Sequence, residues 1–168
     1  WVRHTIQSEL GIEKEKVLFT QHHLSHAAST FFTSPFEEAA IMTVDGVGEW
    51  ATATWGVGKG TDITLTKEIR FPHSLGLLYS AFTAFLGFEV NEGEYKVMGM
   101  APYGDPRYVD KVWQVIQTFD DGSFCLDMDY FSFHHSTTRT FNRKFEQLFG
   151  DPRAPETLFF TEGTGFPS

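Results

Sequence analysis

Two histidines, His22 and His26, stand four residues apart in the run Gln21-His22-His23-Leu24-Ser25-His26-Ala27. On a helix, residues i and i+4 share one face, so both imidazoles can grip a single metal ion. Imidazole nitrogen is a common ligand for iron, zinc and related divalent ions. His23 would point about 100° away from that face and is the odd one out. No Glu follows the first His, so the zinc-protease signature is excluded. The same spacing also describes a helix start with three surface histidines, and the pair alone does not separate the two readings.

Asp45-Gly46-Val47-Gly48-Glu49 is the second constellation. An Asp that closes a buried strand, followed by a glycine-rich turn, can offer a carboxylate to a metal and backbone N–H groups to phosphate oxygens. A plain hairpin turn carries the same Asp-Gly signal. The third stretch runs from Asn91 to Gly104. There Glu94, Tyr95 and Lys96 bring a carboxylate, a phenol and an ammonium together, groups that orient a nucleotide or a polar substrate. Taken by itself, the stretch reads better as a solvated loop with a helix cap. Ser74 can cap a helix that starts at Leu75. His73 reads as a loop histidine, and the pair His134-His135 receives no role.

These residues need elements to position them. Val2, Ile6 and Leu10 recur at i, i+4, which predicts a first helix stopped at Gly11. Val17 to Thr20 reads as a short buried strand leading into a helix over 21–32, which closes before Pro35. Segments 39–45, 50–57 and 63–71 form three consecutive antiparallel strands. The first of these is short and apolar, so it and 17–20 are expected to be covered on both faces. In the third, Ile63, Leu65, Lys67, Ile69 and Phe71 alternate onto one face. Leu75 to Leu86 has helical spacing and stops at Gly87. Val109, Val112, Trp113 and Ile116 predict another helix, 124–126 a strand, and Phe141 to Phe149 a helix. Residues 151–168, rich in Pro, Gly and Thr, read as a loop or frayed end. The fold class is therefore α/β or α+β, a three-strand antiparallel meander flanked by helices.

Composition removes several function classes. The chain has 168 residues, 18 Phe, four Trp and a formal charge of −9. So much aromatic mass argues against disorder. The acidic balance disfavours general nucleic-acid binding. Cys125 is the single cysteine, which excludes an intrachain disulfide and a Cys-based zinc site. No apolar run approaches a membrane span, and a reducing, cytoplasmic setting fits. The chain begins at Trp1 without Met or a signal-peptide pattern, which reads as a partial chain, a single partial domain over 1–168.

The order and wording of the motifs say more than each alone. His22-His23-x-x-His26-Ala27, Val44-Asp45-Gly46-x-Gly48-Glu49, Ser74-Leu75-Gly76-x-x-Tyr79 and Gly93-Glu94-Tyr95-Lys96-Val97-Met98-Gly99-Met100-Ala101-Pro102-Tyr103-Gly104 together resemble the carbamoyltransferase family of nodulation-factor and antibiotic pathways. The resemblance covers roughly residues 10 to 155 and is specific in its wording. It implies an amino-terminal domain of the duplicated actin/hexokinase/Hsp70-like (RNase H-like) fold. It implies a parent enzyme that makes a carbamoyl-adenylate from carbamoyl phosphate and ATP in a separate domain. The actin-like domain then passes the carbamoyl group to a substrate hydroxyl. It implies a divalent metal, Fe(II) in the family, on His22, His26 and Asp45, and a phosphate-facing turn over Gly46, Val47, Gly48 and Glu49. Tyr95 and Lys96 match a motif expected to place nucleotide or substrate.

The resemblance also implies missing parts. The family's opening strands with a His-Asp motif would precede Trp1. A further Asp ligand, the rest of the second lobe and the adenylate-forming domain would follow Ser168. Past Glu156 the family continues into a helix, whereas 157–168 does not read as one. The isolated chain is then expected to be inactive and to show exposed apolar surface. Three other readings stay open: a threonylcarbamoyl-transfer relative acting on tRNA, a sugar kinase of the same fold, and a non-catalytic remnant. The first carries a Ser-Gly-Gly-type turn in place of 45–48, and the second does not need the His22/His26 pair. The small-molecule acceptor and the oligomeric state are not readable from this stretch.

Overall fold

The computed structural model describes residues 1–155 and 157. The expectations for Glu156 and for 158–168 lie outside the described residues. The first helix, α1 (Val2–Leu10), ends where Gly11 takes φ 62° and its N–H reaches the Gln7 carbonyl, the left-handed stop that glycine adopts at least cost.

Residues 17–20 do not form the expected strand. They run as irregular chain after a short 3-10 turn at Lys14–Lys16, and Leu18 and Phe19 are exposed. A strand is stable only in a ladder, and among the described residues nothing pairs with this segment.

Helix α2 (His22–Phe31) follows and buries His23, Ala27 and Phe31, one residue per turn along a single stripe. That stripe lies on a sheet of β1 (Glu38–Val44), β2 (Ala51–Lys59) and β3 (Asp62–Arg70), antiparallel in the order β1-β2-β3. The meander is as expected. The central strand makes room for the helix with small residues. A Cβ at Gly58 would stand 2.7 Å from the Phe31 ring, so the ring rests on bare backbone. Ile41, Ala39, Ile63 and Leu65 complete this apolar layer.

Two expectations for the strands need correction. β1 is covered on one face only: Ile41 and Thr43 are buried under α2, while Met42 and Val44 on the other face are exposed. The alternation along β3 does not stay on one face either. Ile63 and Leu65 pack under α2, whereas Ile69 joins Ala53 and Phe124 on the opposite side. The cause is a register shift. Trp55 pairs with Lys67 but Gly56 pairs with Leu65, so Thr66 is an extra residue. One inserted residue exchanges the two faces of everything beyond it.

After the sheet come α3 (Leu75–Phe85), α4 (Glu94–Met100), α5 (Val109–Val112), the hairpin of β4 (Ile116–Thr118) and β5 (Phe124–Leu126), and α6 (Arg143–Phe149). Ile116 therefore begins a strand instead of ending the preceding helix; its backbone pairs with Leu126. The polar stretch 92–104 is not a simple loop, because it contains α4 and a 3-10 turn. Six phenylalanines organise this half. Phe145 is fully buried, with the rings of Phe82, Phe85, Phe131, Phe141 and Phe149 all within 5.8 Å of its centroid. Leu75 packs against both this cluster and the Ala53–Ile69–Phe124 group, so the start of α3 joins the aromatic core to the sheet. Among the described residues, no helix is long and apolar enough to cross a membrane.

Candidate metal centre

The first two constellations meet. α2 presents His22 and His26 on one face, as their spacing requires, and the end of β1 delivers Asp45 to that face. One ligand atom from each lies within 4.8 Å of the others. His22 Nε2 makes a very short contact with Asp45 Oδ2, His26 Nε2 is 3.4 Å from the same oxygen, and the two Nε2 atoms are 3.0 Å apart. Each Nε2 has one in-plane position, holding a proton or a lone pair. His22 cannot satisfy the carboxylate and the second imidazole together through that single position. A cation between the three atoms resolves the conflict. Ligand atoms about 2.1 Å from a shared ion stand roughly 3.0–3.4 Å from one another; the two separations that involve His26 match this, whereas His22 and Asp45 are in direct contact and must part to admit a divalent metal.

Asp45 is oriented from behind. Its other oxygen, Oδ1, accepts from the Gly46 N–H at 2.7 Å. Burial pushes its carboxyl up, but the His22 hydrogen bond, the Gly46 N–H and the nearby His22 and His26 charges outweigh this. The result is a carboxyl held below its ordinary 3.8.

His23 does not share this face. It is buried, with Nε2 2.8 Å from the Ala51 carbonyl and Nδ1 2.6 Å from the Thr43 hydroxyl, which in turn lies 2.6 Å from the Thr54 hydroxyl. A carbonyl only accepts, so Nε2 donates; in the neutral ring Nδ1 then accepts from Thr43. His23 thus ties α2 to two strands. The Ala51 carbonyl also accepts the Gly48 N–H at 2.9 Å, which closes the turn beside His22. A Cβ on Gly48 would be 2.9 Å from the His23 ring and 3.0 Å from the His22 ring. Glycine at 48 is therefore what lets the turn lie against both imidazoles. The Gly46 and Gly48 N–H groups are engaged within the turn, while Val47 and Glu49 face outward as exposed residues.

Ser74 does more than cap α3. Its hydroxyl oxygen accepts the Leu77 N–H at 3.0 Å, and its own proton goes to the Gly46 carbonyl at 2.6 Å, with the Asp45 carbonyl 3.1 Å away. Fully buried, it clamps the Asp45 turn onto the helix. Gly76 permits the approach, since a Cβ there would come within 2.6 Å of the Asp45 and Gly46 backbone. Sequence reasoning found the cap and missed the clamp. The available signal was Gly76 itself: a glycine inside a helix costs about 1 kcal/mol against alanine, which points to a close backbone approach. Ser74→Ala is expected to lose about 2 kcal/mol from cap and clamp together. For a chain of this size that is a drop of roughly 4–8 °C in melting temperature by differential scanning fluorimetry.

The third motif is attached through the same helix. The Tyr79 hydroxyl donates to the Glu94 carbonyl at 3.1 Å, and Ser80 donates to Glu94 Oε1 at 2.9 Å. These contacts lie about 5 Å along α3 from Gly76. Glu94 is largely structural. Burial raises its carboxyl, but N–H groups of Asn91, Gly93 and Glu94 itself, with the Ser80 hydroxyl, outweigh burial and lower it below its ordinary 4.5. A depressed folded value gives stability that is complete above the unfolded value and fades as pH falls through the folded one. Urea midpoints measured from pH 6 down to about 3 should therefore fall less steeply for Glu94→Gln than for the parent chain. Tyr95 and Lys96 are exposed, and Lys96 Nζ lies 5.8 Å from the Phe88 ring centroid. His73 is structural: its Nδ1 accepts the Leu126 N–H at 3.1 Å and its carbonyl accepts the Thr52 hydroxyl. His134 and His135 contact each other at the surface.

The chain is similar to known proteins. A family model described as the carbamoyltransferase N-terminus matches residues 6–158. The uncharacterized protein sll1178 of a Synechocystis strain is 54% identical over 156 residues, an overlap of 89% of this chain and 25% of that protein. The nodulation protein NolNO of Sinorhizobium fredii is 39% identical over 131 residues, 76% of this chain and 19% of the relative. The nodulation protein NolO of Bradyrhizobium diazoefficiens is 39% identical over 111 residues, 64% and 20%. The chain spans about a quarter or less of the length of these relatives.

Proposed function

From the premise that this chain belongs to the carbamoyltransferase N-terminus family, we propose that it is the metal-bearing piece of an O-carbamoyltransferase. The observation that carries this reading is the convergence of His22, His26 and Asp45 on one point. In this reading the chain is one part of an amino-terminal domain with the duplicated actin/hexokinase/Hsp70-like fold, working in the cytoplasm. The rest of the parent protein supplies carbamoyl-adenylate from carbamoyl phosphate and ATP. An acceptor hydroxyl oxygen bonds to the carbamoyl carbon, AMP leaves with the bridging oxygen, and the hydroxyl proton is released.

A divalent ion on the three residues, Fe(II) in this reading, would supply Lewis-acid polarisation of phosphate and carbonyl oxygens. The protein's own contribution is positional. His22 and His26 offer lone pairs from one rigid helical face. Asp45 offers a carboxylate whose charge the His22 and Gly46 contacts stabilise further. Ser74 and Gly76 hold the Asp45 turn still on the end of α3, which is the kind of fixed placement that catalysis by positioning requires. Gly46, Val47, Gly48 and Glu49 form the turn that would face the phosphate. Tyr95 and Lys96 are exposed for a nucleotide or substrate that the parent protein brings to α4. The chain's charge of −9 supports a small-molecule acceptor over a nucleic acid.

The test is carbamoyl transfer from labelled carbamoyl phosphate and ATP by a full-length protein containing this chain. The expected result is ATP-dependent transfer to an acceptor hydroxyl that disappears in Asp45→Ala. Undiminished transfer in that variant would remove the site from the mechanism.

A further inference from the structure

The end of α2 that carries His22 and His26 has no side-chain cap: Gln21, at the N-cap position, makes no side-chain hydrogen bond to the first turn. Beyond the contacts among His22, His26 and Asp45, a single side chain of α2 hydrogen-bonds to the sheet among the described residues. It is His23, through the Ala51 carbonyl and the Thr43 hydroxyl. Thr43 stands directly opposite Thr54 across β1 and β2, so the two share a face, and both are buried. Valine has nearly the same shape and favours strands as well. A hydroxyl in an apolar layer costs free energy unless it is hydrogen-bonded, so threonine at both positions points to use of the hydroxyls.

The direction of the chain follows from its one fixed end. The Ala51 carbonyl only accepts, so His23 Nε2 carries the ring proton. Nδ1 then accepts from Thr43 at 2.6 Å, and the Thr43 oxygen accepts from Thr54 at 2.6 Å. From Thr54 to Ala51 every polar hydrogen has an acceptor, in one arrangement. The chain ends on the carbonyl that also takes the Gly48 N–H, in the turn that follows Asp45, so it grips both halves of the metal centre. The leverage is large. Side-chain ends on a helix lie about 5–6 Å from its axis, so a roll of roughly 10° moves them about 1 Å. Metal–ligand distances tolerate only about 0.2 Å. The apolar contacts of Ala27 and Phe31 hold α2 down without fixing its roll, because apolar packing is not directional. We propose that Thr43 and Thr54 are positioning residues of the metal centre, whose hydroxyls lock His23 so that His23 sets the roll of α2 and aims His22 and His26 at Asp45, which rests on the metal reading of those three residues.

The experiment has two arms, both on the whole chain. In the metal-free chain, long-range ¹H–¹⁵N spectra of ¹⁵N-labelled histidines read the tautomer of His23, its signals identified by their loss in His23→Gln. The expected form has the proton on Nε2; a proton on Nδ1 overturns the proposal without any variant having to fold. In the second arm, anaerobic calorimetry measures Fe(II) affinity beside the urea midpoint. Thr43→Val should bind about 10–100-fold more weakly, the usual loss when a group that orients a metal ligand is removed. Thr54→Val, which deletes only the far hydroxyl, should lose less, and Thr43→Ser, which keeps the hydroxyl, should stay within about threefold of the parent chain. Phe31→Leu is the control for stability: it should lower the urea midpoint at least as far as Thr43→Val and leave Fe(II) affinity nearly unchanged. Fe(II) binding by Thr43→Val equal to the parent's, or an equal loss in Phe31→Leu, removes the positioning role and leaves the metal reading standing. A parent chain that binds no Fe(II) removes both together.

Discussion

The double variant His22→Ala with His26→Ala is expected to lose Fe(II) binding by more than about a thousandfold under anaerobic calorimetry. Losing even an outer partner of a metal ligand costs roughly 10–100-fold, and this change removes two of the three direct donors. Stability should move little. Both rings are substantially exposed, and the buried stripe of α2 is carried by His23, Ala27 and Phe31. Surface changes of this kind stay within about 0.5 kcal/mol. Loss of metal with an unchanged urea midpoint is therefore the expected pair of observations. A variant that unfolds would instead mean that the histidines hold the helix in place.

Phe145→Ala is expected to cost about 3–5 kcal/mol, the usual range for deleting a buried phenylalanine. Five aromatic rings surround it, and the edge-to-face pair with Phe85 adds to the area lost. Set against a total stability of about 5–15 kcal/mol, this is enough to unfold much of the population. The effect reaches the site through α3. Phe82 and Phe85 anchor the far end of that helix on Phe145, while Ser74 and Gly76 at its near end carry the Asp45 turn. Urea denaturation should show the loss of stability, and metal affinity should fall with it in any fraction that stays folded. Phe145→Leu, which keeps most of the volume, should lose clearly less of both.

The contrast between these two sites shows what could be read from residues alone. The His22/His26 pair was legible because helical periodicity puts i and i+4 on one face whatever the helix packs against. Asp45 was legible because a strand that ends in Asp-Gly must present the carboxylate at its tip. The three-strand meander followed from alternation and turn residues. What failed depended on partners distant in sequence. Residues 17–20 have the composition of a strand, yet no neighbour among the described residues pairs with them. The faces of β3 were misread because the extra residue Thr66 shows only in the register against Trp55 and Gly56. Ile116 continued a helical spacing but was captured by Leu126 across the β4–β5 hairpin. At the site, the roles of His23, Ser74 and Gly76 came from contacts spanning 20 to 31 residues, beyond the reach of any local pattern.

The most direct test of the central claim is X-ray absorption at the iron edge on the Fe(II)-loaded chain. The account predicts nitrogen and oxygen neighbours at about 2.1 Å, with the outer-shell scattering of two imidazoles, and loss of that imidazole signal in His22→Ala/His26→Ala. Iron bound without imidazole, or an unchanged spectrum in the double variant, would contradict it.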